Sequence, residues 1–258
     1  MKVDIRLDAA KFYDLNPSAP NDIPFYQQFL TSPKISVLEL GCGTGRVTLA
    51  LASYSGYVHG IDVSSAMVEL CRQKLMKAKL PENRVCVEEG DITNFDLGKK
   101  FDFIIAPFRV LQNIEKDEDV AAMFRCIRQH LAPGGTCVLN AFRPFYAPQD
   151  LREHWLSTEE RLNWEVAVDG GKVACYDRRT RLDVEKLILY PELIYRRYEG
   201  ERLVEEAILK LVMRCYYAET FERLVTENGF VSLNRWGGYT GEIYGEGPEL
   251  VLRFGAGG

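Results

Sequence analysis

Residues Val37 to Gly45 read VLELGCGTG, and Arg46 follows. Three glycines at alternate positions, Gly41, Gly43 and Gly45, can bring a turn close against a ligand, because glycine reaches backbone conformations closed to other residues. The neighbours decide which ligand. A triphosphate loop needs G-x-x-x-x-G-K-[ST], with a lysine for the phosphate and a hydroxyl for its metal ion, and Gly45-Arg46-Val47 supplies neither. A dinucleotide turn reads G-x-G-x-x-G, whereas this one is G-x-G-x-G with Glu39 ahead of it. Asp62 lies 17 residues beyond Gly45, at the end of the apolar run YVHGID. A carboxylate there can accept both ribose hydroxyls of an adenosine, which suits nicotinamide dinucleotides and adenosyl sulfonium compounds alike. Gly90-Asp91-Ile92 separates them: it would set a carboxylate beside an adenine amine and an aliphatic side chain beside the ring face.

These residues must sit on a regular frame. ISVLEL, YVHGID, RVCVEEGD, FDFIIAPF and TCVLNAF are strand-like runs, separated by segments of helical spacing. One such helix follows Ser64 or Ser65 as cap, with an apolar face of Met67, Val68, Cys71, Leu75 and Met76. Repeated βα units imply a parallel sheet with helices on both faces. Beyond Phe142 the rhythm changes, with hairpin signals at Asp169-Gly170-Gly171 and Glu199-Gly200. The expected architecture is α/β: a Rossmann-like, mostly parallel seven-stranded sheet and an inserted antiparallel β lobe. Residues 1–258 are read as one domain, with the insertion at 146–216 and a final helix and two strands after it.

ELGCGTG, GIDVSSAM, EGDITNF and LAPGG occur here in the order and spacing of the class I S-adenosylmethionine-dependent methyltransferases, which the chain resembles over residues 10–142. That resemblance implies S-adenosyl-L-methionine as cofactor. It places Gly41, Gly43 and Gly45 against the methionine part, Asp62 on the ribose, Met67 or Val63 near the adenosine, and Asp91 with Ile92 around the adenine. Glu39 orients the turn or the cofactor amine through water.

Methyl transfer from a sulfonium is an in-line displacement, so alignment and exclusion of water are the main tasks. The acceptor belongs beyond the fourth strand, where Ala106, Pro107 and Phe108 line the donor side and Arg109, Gln112 and Asn113 add polar contacts. The N-terminal AAKFYDLNPSAPNDIPFYQQFL resembles the lid of small-molecule methyltransferases, including deoxysugar amine N-methyltransferases. In that group a tyrosine of a YD pair faces the methyl; the match is Tyr13, with Tyr26 a second candidate. Some relatives carry a histidine where Asn113 stands. His59 reads as core and His130 as a surface or dipole residue of a helix's last turn, leaving His154 as the candidate site histidine. The insertion's Arg178, Arg179, Arg196 and Arg197 are expected either to recognise an acidic acceptor or to line a β surface or dimer contact.

The formal charge of -5 gives no basic footprint for nucleic acid or an anionic membrane. Seven cysteines without a C-x-x-C pair read as reduced thiols of a cytoplasmic protein. The opening MKVDIRLDAAKFYDL lacks an apolar segment, so no leader is expected. No metal is expected. The reading is a methyltransferase acting on nitrogen or oxygen of a small metabolite, as monomer or homodimer. The alternatives are a protein or RNA methyltransferase, or a silent cofactor-binding protein.

Overall fold

Short strands of Val, Ile and Leu without polar alternation suit a sheet buried on both faces. In a computed structural model describing residues 4–81 and 83–257, these runs form such a sheet. Strands β1 (Ser36–Leu40), β2 (Tyr57–Asp62), β3 (Val85–Glu89), β4 (Phe101–Ala106) and β5 (Leu131–Phe142) pair in parallel. Near the C-terminus, β11 (Phe230–Trp236) and β12 (Glu249–Ala256) add antiparallel, giving the order β11-β12-β5-β4-β1-β2-β3. The chain starts in the middle of this sheet and winds outward both ways. The order therefore reverses between β1 and β4, which opens a crevice at their carboxyl ends.

Four helices cover the sheet: α3 (Arg46–Ala52), α4 (Ser65–Ala78), α5 (Asp117–His130) and α7 (Ala218–Glu227). Ser64 is the residue that caps α4, accepting the Met67 amide at 3.2 Å. The first turn of α5 carries Asp117, Glu118 and Asp119, which complement the helix dipole. Leu38, Leu40, Ile104, Leu139 and Leu252 fill one face of the sheet, and Val37, Val58, Ile105 and Val138 the other.

The antiparallel sheet comprises β6 (Ser157–Val168), β7 (Gly171–Asp183), β8 (Ile188–Glu199), β9 (Arg202–Lys210) and β10 (Met213–Arg214). Two of its hairpins turn where Gly170 and Gly200 take positive φ. The helix α6 (Leu151–Trp155) leads into it. The lobe is packed against the N-terminus: Phe12, in α1 (Ala10–Tyr13), stacks on Tyr195 at 5.5 Å within a cluster including Trp164, Val173 and Leu209. A second short helix, α2 (Ile23–Gln27), packs Phe25 and Tyr26 under the main sheet.

Two histidines are structural. His59 in β2 is buried, between the Tyr57 hydroxyl and Glu88. His130 is also buried, contrary to the surface role expected from its place in the last turn of α5. Its Nδ1 bonds the Cys126 carbonyl at 2.8 Å and its Nε2 the Leu97 amide at 3.0 Å, so both ring nitrogens are engaged within the fold. Among the described residues no helix is long and apolar enough to cross a membrane.

Candidate functional site

The turn after β1 carries three left-handed glycines, Gly41, Gly43 and Gly45, with φ of 70°, 53° and 85°. Two of them are hemmed in: a Cβ on Gly41 would lie 2.6 Å from Val110, and one on Gly45 would lie 2.6 Å from Leu49. A Cβ on Gly43 would meet nothing within 4 Å, so this is the open side of the turn. The turn is tied to β2, since the Gly41 and Cys42 amides donate to the Ile61 carbonyl. Asp62 completes the tie. Its Oδ2 accepts the Gly43 amide and its Oδ1 the Ser64 amide, both at 2.9 Å. The carboxylate is thus held in one orientation at the crevice with lone pairs remaining, as a ribose diol requires. Gly90 follows β3 and donates to the Asp62 carbonyl, bringing Asp91 and Ile92 to the same edge. Asp91 closes a local turn by accepting the Thr93 amide and hydroxyl.

The two hydrophobic candidates for the adenosine part company. Met67 is 1% exposed within the fold, whereas Val63, next to Asp62, is 44% exposed. Val63 is therefore the one with a free apolar face. Glu39 is buried beneath the turn, where the Thr48 hydroxyl donates to it at 2.5 Å. Burial pushes its carboxyl up to about 8, with the Thr48 bond opposing the rise. A buried, protonatable carboxyl beneath the cradle can answer a cationic ligand.

The N-terminal arm spans the crevice. Asp4 accepts from the Ser64 hydroxyl at 2.9 Å, and Arg6 donates to Asn113 at 2.8 Å. Asp14 accepts from the Thr44 hydroxyl at 2.6 Å and pairs with Lys74 at 2.6 Å. The arm thereby touches the start of α4, the glycine turn and the loop after β4. Tyr13 lies under it, its phenol raised by burial against the opposing pull of Arg46 and Arg6, with Asp62 and Asp14 also near. Arg46 grips the fully buried Asp22 through two bonds, of 2.5 and 2.8 Å. Tyr26, expected at the acceptor, is a core residue instead; its hydroxyl is buried and has no hydrogen-bond partner among the described residues.

After β4, Ala106 and Pro107 are buried, and Phe108 and Arg109 both take left-handed conformations, with φ of 54° and 69°. Two successive non-glycine residues in that region cost on the order of 1 to 3 kcal/mol each and occur where a site dictates backbone geometry. The turn is braced. The Arg109 amide donates to Asn140 at 3.0 Å, and its guanidinium pairs with Glu249 at 2.8 Å. Gln112, read as a polar contact for the acceptor, is wholly buried: it accepts the Phe142 amide and donates to the Arg214 carbonyl, each at 2.8 Å. Asn113 is exposed, held by Arg6 and donating to the Arg109 carbonyl at 3.2 Å.

His154 stands apart from this group, exposed on α6 and stacked on Tyr146 at 3.8 Å. Three of the insertion's arginines pair within the lobe: Arg178 with Glu192, Arg179 with Asp177, and Arg196 with Glu160 and Glu206. Recognition of an acidic acceptor by those three would require breaking internal pairs. The site motifs of the sequence assign no role to Asp14, Asp22, Asn140 or Glu249. For Asp22 the signal was its place in the lid segment; Glu249 offered none, because only the pairing of β12 with β5 brings it to the turn.

A family description of the methyltransferase domain matches residues 37–135, the span from β1 through the glycines of β5. The dTDP-3-amino-3,4,6-trideoxy-alpha-D-glucopyranose N,N-dimethyltransferase of Streptomyces venezuelae is 27% identical over 176 residues, 65% of this chain and 68% of that protein. Residues 37–135 thus form a methyltransferase domain like that of the S-adenosylmethionine-dependent methyltransferases. A second relative of this methyltransferase is the dTDP-4-amino-2,3,4,6-tetradeoxy-D-glucose N,N-dimethyltransferase of Saccharopolyspora spinosa. It is 32% identical over 113 residues, but the match spans only 44% of this chain and 41% of the relative. The fold of the methyltransferase is shared with the CcbJ methyltransferase of Streptomyces caelestis, at 22% identity and a TM-score of 0.78 over 99% of both chains. A Clostridium acetobutylicum S-adenosylmethionine-dependent methyltransferase gives the same TM-score at 18% identity, over 97% of this chain and 98% of that one.

Proposed function

We propose that this methyltransferase moves the methyl group of S-adenosylmethionine to an amino nitrogen of a small acceptor, an amino sugar carried on a nucleotide. The observation that carries this reading is the likeness to the Streptomyces venezuelae enzyme, which reaches beyond the cofactor motifs to 65% of the chain. The braced turn after β4 supports it by presenting a fixed wall at the place where an acceptor would enter.

S-adenosylmethionine supplies, when bound, a methyl group already activated on a sulfonium. The residues around it bind, orient and exclude water. The open side of Gly43 admits the methionine part, Asp62 receives the ribose, Val63 covers the adenosine, and Asp91 with Ile92 borders the adenine. Glu39 lies beneath as a counter-charge for the amine. Tyr13, under the arm, orients the incoming nitrogen, and Phe108 and Arg109 set its approach. The nitrogen attacks as a free amine; its N–C bond forms as the S–C bond breaks, and the surplus proton leaves to water. Asn113 can accept a hydrogen bond from that amine but cannot take its proton. A formal charge of -5 favours no nucleic acid or anionic membrane as partner, and the chain works as a monomer or homodimer.

The test is to supply S-adenosylmethionine with dTDP-3-amino and dTDP-4-amino deoxysugars and follow acceptor mass. Gain of one or two methyl groups supports the reading. Methylation of the matching hydroxy sugars, with the amines untouched, would replace nitrogen with oxygen as the target.

A further inference from the structure

Arg109, Asn140 and Glu249 close a ring of three hydrogen bonds across the main sheet. Asn140, in β5, accepts the Arg109 amide through Oδ1 at 3.0 Å and donates through Nδ2 to Glu249 Oε2 at 3.0 Å. Glu249, the first residue of β12, accepts from Arg109 Nη2 through Oε1 at 2.8 Å. Asn140 is 1% exposed, and the Glu249 side chain 12%. The ring grips both the backbone and the side chain of a left-handed residue. A brace serving the fold alone has no need of that strained conformation. Nor would it leave Arg109 Nε buried without a partner among the described residues, beside the turn.

We propose that Glu249 is a positioning residue for methyl transfer: through Asn140 and Arg109 it fixes the turn after β4, and with it the place where the acceptor meets the methyl group. This rests on the reading that the acceptor enters beyond β4. The bond directions make the proposal specific. A carboxylate offers only acceptors, so Asn140 must turn its NH2 to Glu249, which leaves its oxygen for the Arg109 amide. A glutamine in place of Glu249 has one acceptor and one donor and cannot satisfy both partners. Pairing Glu249→Gln with Asn140→Asp restores the match. The new amide would then accept from Arg109 and donate to the new carboxylate, whose second oxygen would still accept the Arg109 backbone amide. The negative charge would have moved by one position in the ring.

The experiment compares wild type, Glu249→Gln, Asn140→Asp and the double variant. Calorimetry with S-adenosylmethionine should give dissociation constants within about twofold throughout, because the bonds of the ring run among Arg109, Asn140 and Glu249 and none reaches the glycine turn or Asp62. Each single variant should lose about tenfold or more in kcat/KM for the amino sugar, the scale of one charge-assisted hydrogen bond, and the double should recover most of it. Hydrogen exchange at the Arg109 amide needs no acceptor: it should speed up in the single variants and slow again in the double. Unchanged exchange in Glu249→Gln overturns the proposal even if no acceptor is methylated, a result that would by itself count only against the amino sugar reading. Loss of cofactor affinity equal to the loss of kcat/KM, or a double variant no better than the singles, overturns it as well.

Discussion

The Asp62 carboxylate accepts the backbone amide of Gly43 at 2.9 Å, joining the end of β2 to the open point of the glycine turn. The group that would meet the ribose and the backbone that would meet the methionine part are thus one rigid unit. Asp62→Ala should weaken S-adenosylmethionine binding by about 1.5 to 3 kcal/mol, the range for hydrogen bonds to a charged acceptor. It should also loosen the turn, so the demethylated product should be affected alike. Calorimetry with both ligands and with NAD checks this. An unchanged constant in a folded variant removes Asp62 from the site, and preferential NAD binding removes the cofactor assignment.

Tyr13 lies under the arm, within the fields of Asp62, Arg46 and Arg6. If its hydroxyl orients the nitrogen, Tyr13→Phe lowers kcat by about tenfold or more while cofactor affinity changes little, because the bond counts mainly in the transition state. Stopped-flow binding and steady-state kinetics on the same preparation separate the two. Equal losses would assign the hydroxyl to cofactor binding alone.

Glu39 is raised from an ordinary 4.5 to about 8 by burial, so the cofactor-free folded chain keeps a proton that the unfolded chain releases. Its contribution to stability is complete below about pH 4.5 and declines as pH rises through about 8, by at most about 1.4 kcal/mol per pH unit. Glu39→Gln keeps the shape and removes the titration. Urea denaturation at several pH values should show wild type losing stability relative to this variant as pH rises from about 5 to 8. Parallel profiles would mean that Glu39 is already ionised in the empty site.

Arg178 and Arg196 are engaged by glutamates of their own lobe. Arg178→Ala and Arg196→Ala should leave KM for the acceptor unchanged and lower stability by about 1 kcal/mol or less, as partly exposed ion pairs do. Thermal melts and kinetics decide; a KM raised severalfold with unchanged cofactor affinity would show that an arginine leaves its glutamate for the acceptor.

The sequence by itself determined the glycine turn and the strand-end acids. The conformation of Gly41, Gly43 and Gly45 and the position of Asp62 and Asp91 are both local: a glycine marks a left-handed turn, and an acid closing an apolar run marks the edge of a sheet. The hairpins at Gly170 and Gly200 were legible for the same reason. Tertiary structure alone decided what surrounds the turn after β4. Tyr26 and Gln112 look available in a string of residues, yet one is packed under the sheet and the other is spent bonding β5 and β10. His130 sits at a helix end that happens to face inward. Glu249 reaches Arg109 because β12 inserts antiparallel beside β5, a pairing between segments that no local pattern encodes, and the two residues it joins stand 140 positions apart. Periodicity specifies which face of an element is apolar; which other element covers that face, and which polar groups meet there, is fixed only when the sheet closes.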